Sequence, residues 1–300
     1  MKIAILGASS QIAGDLIRNL QQHTTHQLSL FGRIAKPELG MLSYSAFGEG
    51  HYDALINFVG VGDPARAVNM GTSILEVTEQ YDLLALDYLK IHPTCRYVFL
   101  SSGAVYGGAF NSPVTASTPA CYPINSLGQQ DWYGLAKLHA ETRHRAHANL
   151  PIVDLRVFNY FSKSQSIDSR FLITDALRAA RDGKVFKTNA LDLVRDFLGE
   201  ADFFALISRV LEAPPCNLAI DCFSAAPLKK FEMLDALQHH FGLQYDVEEQ
   251  AHGVNATGVK LNYYSLHHAP ALALGYQPLA SSLDTVLQVG KSLTKTQQHQ

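Results

Sequence analysis

Short apolar runs of strand length alternate with longer stretches of helical periodicity through the first half of the chain. No other feature of the sequence constrains its fold as strongly. Lys2 to Leu6, Gln27 to Phe31, Ala54 to Val59, Arg96 to Ser101 and Ile152 to Arg156 read as strands, with Met41 to Phe47 a weaker one. Between them, Gln11 to Gln22, Ile74 to Ile91 and Trp132 to Ala148 read as helices. Strands separated by helices cannot pair as hairpins and join as a parallel sheet covered by helices on both faces. The expected fold class is α/β, a doubly wound parallel-sheet Rossmann domain with a smaller C-terminal substrate lobe. In the second half, Asp168 to Asp182, Glu200 to Leu211 and Lys229 to Phe241 read as helices, and Asn217 to Ile220 as a strand. A last helix near Ser281 to Val289 precedes a polar tail expected to fray. The 300 residues suit one main domain with an appended lobe. We expect residues 1–162 with about 190–223 in the first, and 163–189 with 224–300 in the second.

The composition narrows the function. A formal net charge of -3 gives no electrostatic reason for a nucleic-acid partner. No apolar run approaches the length of a membrane span, and the N-terminus reads as a first strand rather than a signal peptide. Cys95, Cys121, Cys216 and Cys222 form no CxxC pair and are expected to be reduced packing residues in a cytoplasmic protein. Among the 13 histidines, His139, His144 and His147 share one predicted helix, and His239-His240 and His267-His268 are adjacent pairs. With no third ligand evident, these are expected to be solvated surface side chains, and no metal site is expected.

Four motifs fall at the carboxyl ends of predicted strands, where ligands of such folds bind. GASSQIAG, Gly7 to Gly14, joins the first strand to the first helix. A glycine there permits a tight turn, and the helix start then offers free N–H groups to a pyrophosphate. At the end of the second strand, Gly32 stands where an acid would bind ribose hydroxyls, and Arg33 follows it. A guanidinium suits a 2′-phosphate, which favours NADP(H), with NAD(H) the alternative. Tyr133-Gly-Leu-Ala-Lys137 puts a phenol and an ammonium one helical turn apart. The ammonium is expected to lower the phenol pKa from about 10, giving a general acid/base. Ser102, ending the strand in RYVFLSSGAVYG, is placed to hold the reacting oxygen.

Together these segments resemble the extended short-chain dehydrogenase/reductases, the NAD-dependent epimerase/dehydratase family of sugar-nucleotide enzymes. The likeness runs through YDALINFVG (52–60), VFLSSGAVYG (98–107), YGLAKLHAE (133–141), LRVFNYF (155–161), LVRDFLGEAD (193–202) and LGYQP (274–278). It implies Ser102, Tyr133 and Lys137 as the catalytic residues. It implies a cofactor site of Gly7, Ser10, Gln11, Ile12, Arg33, Phe58 and Val59, with Tyr133 and Lys137 beside the nicotinamide ribose. Asn159 and Arg195 would contact a substrate diphosphate or nucleotide, with Ser102 on the sugar. A local Arg195–Asp196 ion pair is the bland alternative. The implied partner is a sugar nucleotide, and relatives often dimerise through the helices here at Ile74 to Ile91 and Trp132 to Ala148.

Departures from the family pattern matter. Gly103 and Ala104 replace the Asp-Glu of the 4,6-dehydratases, which removes the acid and base for water elimination. Ala104 also replaces the cysteine of GDP-fucose synthases. The Asn-Val-x-Gly-Thr of the fourth helix is displaced, and residues near Val77 to Asp82 take its place. Near Asn255 to Lys260 the family arginine is missing, and Lys260 is the only substitute. The leading expectation is an NADP(H)-dependent reductase of a ketosugar. A C4 epimerase that retains NAD is the runner-up, and a non-catalytic NADP-binding sensor or scaffold is third.

Overall fold

The computed structural model describes residues 1–61, 67, 69–248 and 260–295. Its centre is a seven-stranded, wholly parallel sheet made of β1 (Lys2–Leu6), β2 (Gln27–Gly32), β3 (Met41–Ser43), β4 (Ala54–Asn57), β5 (Arg96–Ser102), β6 (Ile152–Val157) and β11 (Leu218–Asp221). The spatial order is β3-β2-β1-β4-β5-β6-β11. The winding reverses between β1 and β4, which opens a crevice at their carboxyl ends.

Strand alternation explains the two helix layers. Ile3 and Ile5 point to one face, where they pack with α1 (Gln11–His23) through Leu16 and Leu20 and with α5 (Glu200–Glu212) through Leu206 and Val210. Ala4 and Leu6 point to the other, with α2 (Ser73–Ile91) through Ala85 and Leu89 and α3 (Trp132–Ala146) through Ala140. A further apolar cluster joins α4 (Leu172–Arg181), α6 (Lys230–Phe241) and α8 (Ser282–Lys295) through Ile173, Leu177, Leu234, Leu237, Val286 and Val289. The short helix α7 (Ala269–Ala273) lies between them in sequence. Among the described residues, no helix is long and apolar enough to cross a membrane.

Small strands carry the second half toward the sheet. β7 (Asn159–Tyr160) pairs with β10 (Phe197–Leu198), and β9 (Val194–Arg195) lies between β12 (Leu228–Lys229) and β14 (Asn262–Tyr263). The remaining pair, β8 (Val185–Thr188) with β13 (Gln244–Val247), was invisible in the pattern because its residues are mostly exposed and lack alternation.

Several boundaries differ from expectation, three of them with a visible cause. The third strand stops at Ser43, because the 3-10 turn Tyr44–Ala46 then buries Phe47 against Tyr52 and Tyr88. The fourth helix starts at Leu172, where the Phe171 N–H donates to Thr174 Oγ1. The last helix continues through the expected tail to Lys295, because Leu293 extends the apolar face of Val286 and Val289. Residues 249–259, which include most of the segment lacking the family arginine, lie outside the described residues, as do 296–300.

Candidate active site

The β1–α1 turn lies against β4 at the reversal point. Gly7 adopts φ +75°, and a Cβ there would stand 2.8 Å from the Phe58 carbonyl carbon and 2.9 Å from the Val59 nitrogen. Ser10 caps α1, its Oγ accepting from Ala13 N–H at 3.3 Å, while its carbonyl accepts from Gly14. The amides of Gln11 and Ile12 are left at the helix start for an anion. The cradle that only glycine fills, with a capped helix beyond it, fits a dinucleotide pyrophosphate. Replacing Gly7 with alanine is expected to lower the melting temperature and weaken dinucleotide binding at least ~10-fold, because φ strain and the clash with Phe58 force the turn open. Fluorescence titration checks this; an unchanged Kd would mean the turn does not face the cofactor.

Gly32 is paired with Ser43, so Arg33 and Tyr44 leave the sheet side by side. Arg33 is exposed. The Tyr44 ring lies tilted against Tyr81 of α2, with centroids 4.5 Å apart. Burial and the Tyr81 phenol push the Tyr44 hydroxyl up to about 12, against the opposing pull of the Gly7 amide and Arg33. This pair, at the rim beside Gly7, was not expected from sequence; Tyr81 lies where the displaced family motif would be.

At the end of β5, Ser102 Oγ accepts from Ala104 N–H at 3.1 Å. Burial raises the Tyr133 phenol above its usual range, and a hydrogen bond with Ser102 pulls it back. The expected effect of Lys137 on Tyr133 is absent: Lys137 Nζ donates to Leu100 O at 2.7 Å and lies 4.4 Å above the Phe99 ring. Desolvation lowers that ammonium to about 8, although Asp82, Glu141 and Asp154 act to raise it. Ser102 and Tyr133 thus meet, while the Lys137 ammonium is bonded to the backbone of the same strand.

Below them a polar network fixes helix to sheet. Buried Glu141 accepts from Ser101 Oγ at 2.5 Å and from Arg156 Nη2 at 2.6 Å. Arg156 Nη1 donates to Tyr106 Oη at 2.8 Å, and Tyr106 donates to Asp221, which also accepts from Ser265 Oγ at 2.6 Å.

Tyr263 reaches the same site from β14, its Oη 3.3 Å from Ser102 Oγ. Arg195 lies 5.9 Å and Lys260 4.5 Å from the Tyr263 ring centroid. Desolvation lowers Arg195 to about 10, and desolvation followed by repulsion from Arg195 lowers Lys260 to about 8. Among the described residues neither cation forms an ion pair. The Arg195–Asp196 pair is corrected: Arg195 donates to the Val194 and Leu261 carbonyls, while Asp196 accepts from Ser224 N–H and Ser282 Oγ. Asn159 donates to the Asp196 carbonyl at 3.0 Å and so braces β7 against the 194–198 segment. Tyr263 carried no sequence signal, since it comes from a two-residue strand remote in the chain.

The histidine expectation also needs correcting. His144 is fully buried between Asp82 and Asp154, not solvated, because its place on the inner face of α3 meets carboxylates from α2 and β6. Among the described residues no group of three His, Cys, Asp or Glu side chains could hold a metal ion.

Known proteins share this architecture. The UDP-glucose 4-epimerase of Thermotoga maritima, solved with UDP-glucose, superposes with a TM-score of 0.80 at 15% identity, covering 99% of each chain. The Pseudomonas aeruginosa RMD complexed with NADPH gives 0.74 at 19% identity, covering 98% of this chain and 100% of that one. These likenesses are of fold. UDP-glucose 4-epimerase 4 of Oryza sativa subsp. japonica is 28% identical over 152 residues, 49% of this chain but only 37% of that protein's length. The profile of the NAD dependent epimerase/dehydratase family matches residues 3–219, so the chain belongs to that family.

Proposed function

We propose that this protein is a nucleotide-sugar epimerase that works by reversible hydride transfer at a sugar carbinol. One observation carries the reading: Ser102, bonded to Tyr133, meets Tyr263, whose ring lies beside half-buried Arg195 and buried Lys260, two cations with no ion pair among the described residues. Buried charges are retained when something pairs with them. A substrate diphosphate would neutralise both, and its sugar would then extend to the hydroxyl pair. Ser102 would hold the sugar oxygen and Tyr133 would exchange its proton. The dinucleotide, held by Gly7, Ser10, Gln11, Ile12, Phe58 and Val59, supplies the hydride acceptor when bound. In this reading residues 1–162 with about 190–223 bind the dinucleotide, and 163–189 with 224–300 bind the sugar nucleotide. The likeness to UDP-glucose 4-epimerases supports the epimerase over the reductase expected from sequence. Incubation with UDP-glucose and no added dinucleotide is the test. Formation of UDP-galactose, with NAD released on denaturation, is expected; no turnover of any nucleotide sugar would reject the reading.

Arg33 favours a second reading, an NADP(H)-dependent reductase. A guanidinium at the end of β2, with no acid beside it, would bind a 2′-phosphate with roughly 1.5–3 kcal/mol, about ten- to hundred-fold in affinity. NADPH should then bind more tightly than NADH by that margin, less so in high salt. Arg33→Ala should abolish the preference. That variant is cleaner than an acid at Gly32, where a Cβ would meet Met41 Sδ at 2.8 Å. Equal wild-type affinities would remove the reductase reading.

A further inference from the structure

Lys137, Glu141 and His144 follow one another along the inner face of α3 at helical spacing. His144 Nε2 is 2.7 Å from Asp82 Oδ1, and Nδ1 is 2.6 Å from Asp154 Oδ1. Carboxylate oxygens only accept, so both ring nitrogens must carry protons and the ring is an imidazolium. Burial alone favours the neutral ring; the two carboxylates outweigh it and hold the pKa at about 9. Arg143 closes on Asp82 Oδ2 at 2.9 Å and Arg145 on Asp154 Oδ2 at 2.7 Å.

The network does not end there. Tyr97 Oη, from β5, donates to Asp82 Oδ1 at 3.0 Å. Asn57 Nδ2, at the end of β4, donates to Tyr97 Oη at 3.0 Å and to the Tyr81 carbonyl at 3.3 Å. Asn57 Oδ1 in turn accepts the Val59 N–H at 2.9 Å. Phe58 and Val59 form the wall against Gly7, and a Cβ on the next residue, Gly60, would stand 3.3 Å from Lys137 Nζ. A continuous chain of hydrogen bonds therefore joins a buried cation on the Tyr133 helix to the loop between the glycine turn and Lys137.

We propose that His144, Asp82, Tyr97 and Asn57 form a positioning relay that fixes the 58–60 loop and thereby sets dinucleotide affinity. This rests on the dinucleotide reading above. The physical case is one of direction. Asn57 has to present its carbonyl to Val59 and its amide to Tyr97 and the Tyr81 carbonyl, and Tyr97 Oη, at 3.0 Å against 3.3 Å, is the closer of the two acceptors that enforce that orientation. Tyr97 accepts because its own proton is committed to Asp82, and Asp82 is held as a carboxylate by His144 and Arg143.

Tyr97→Phe removes one hydroxyl and leaves the ring packed against Phe99 and His144. Amide hydrogen exchange at Val59 should accelerate, and Kd for the preferred dinucleotide should rise about three- to tenfold, the loss of one hydrogen bond. Val210→Ala, buried in α5 away from the relay, serves as the matched control for lost stability. It should leave both readouts unchanged. Unchanged Val59 exchange in Tyr97→Phe, or equal effects in the two variants, would overturn the relay. If wild-type protein binds neither NAD(H) nor NADP(H), the dinucleotide reading fails, and with it the relay's role in affinity; exchange at Val59 still reports whether the relay orders the loop.

Discussion

Turnover of the Tyr133→Phe variant is expected to fall at least ~10²-fold, with dinucleotide affinity unchanged. The phenol oxygen is the group that burial holds protonated and that Ser102 engages, so removing it deletes the proton donor without opening space. The ring stays because α3 packs tightly here: a Cβ at the adjacent Gly134 would stand 2.4 Å from the Ala104 carbonyl oxygen. Turnover of nucleotide sugar measured alongside dinucleotide titration separates the two effects. A wild-type rate would remove Tyr133 from the chemistry and leave Tyr263, whose hydroxyl also meets Ser102, as the candidate. A fall in affinity as large as the fall in rate would mean that the phenol binds the cofactor instead.

The sheet was legible because each of its central strands is an apolar run long enough to be buried on both faces, and the helices between them keep their period. Gly7 and the Tyr133–Lys137 spacing were legible for a similar reason: each is a local constraint, set within one turn or one helix. What periodicity did not reveal is what distant segments bring together. Tyr263 reaches Ser102, and brings its ring against Lys260, because β14 pairs with β9. Tyr44 meets Tyr81 because β3 ends at Ser43. His144 looked like a surface residue since its helix is rich in polar side chains, and its two carboxylate partners lie 62 and 10 residues away in sequence. The orientation of Lys137 was missed in another way. Helical spacing fixes which face a side chain leaves from, but a lysine is long enough to choose among acceptors, and here it takes the Leu100 carbonyl.

Lys137→Met is expected to give a protein that is inactive yet more stable than wild type at neutral pH. Lys137 is almost fully buried, its ammonium held by one carbonyl and one aromatic face, with no carboxylate in contact among the described residues. Desolvation therefore lowers its pKa from 10.5 to about 8. A depressed pKa on a cation means that, between those values, the unfolded chain binds more protons than the folded one. Stability contributed by this group thus rises with pH from about 8 to 10.5 and is at its minimum below 8, where the charge is fully formed. The cost at pH 7 is on the order of 3 kcal/mol. Methionine keeps the volume and removes the charge, so the variant should melt higher than wild type at pH 7, with the difference shrinking toward pH 10.5. Lys260 titrates in the same range but is common to both proteins, so the comparison isolates Lys137. Dinucleotide affinity should fall, and the rate with it, because the ammonium lies next to the 58–60 loop, where a ribose would meet it. Wild-type affinity should also weaken as pH rises through about 8, and the variant should lose that dependence. Melting curves at pH 7 and pH 10, with titrations at each, decide it. A variant less stable than wild type at pH 7 would mean that the ammonium is well compensated where it lies. One that binds and turns over normally would place Lys137 in the fold alone.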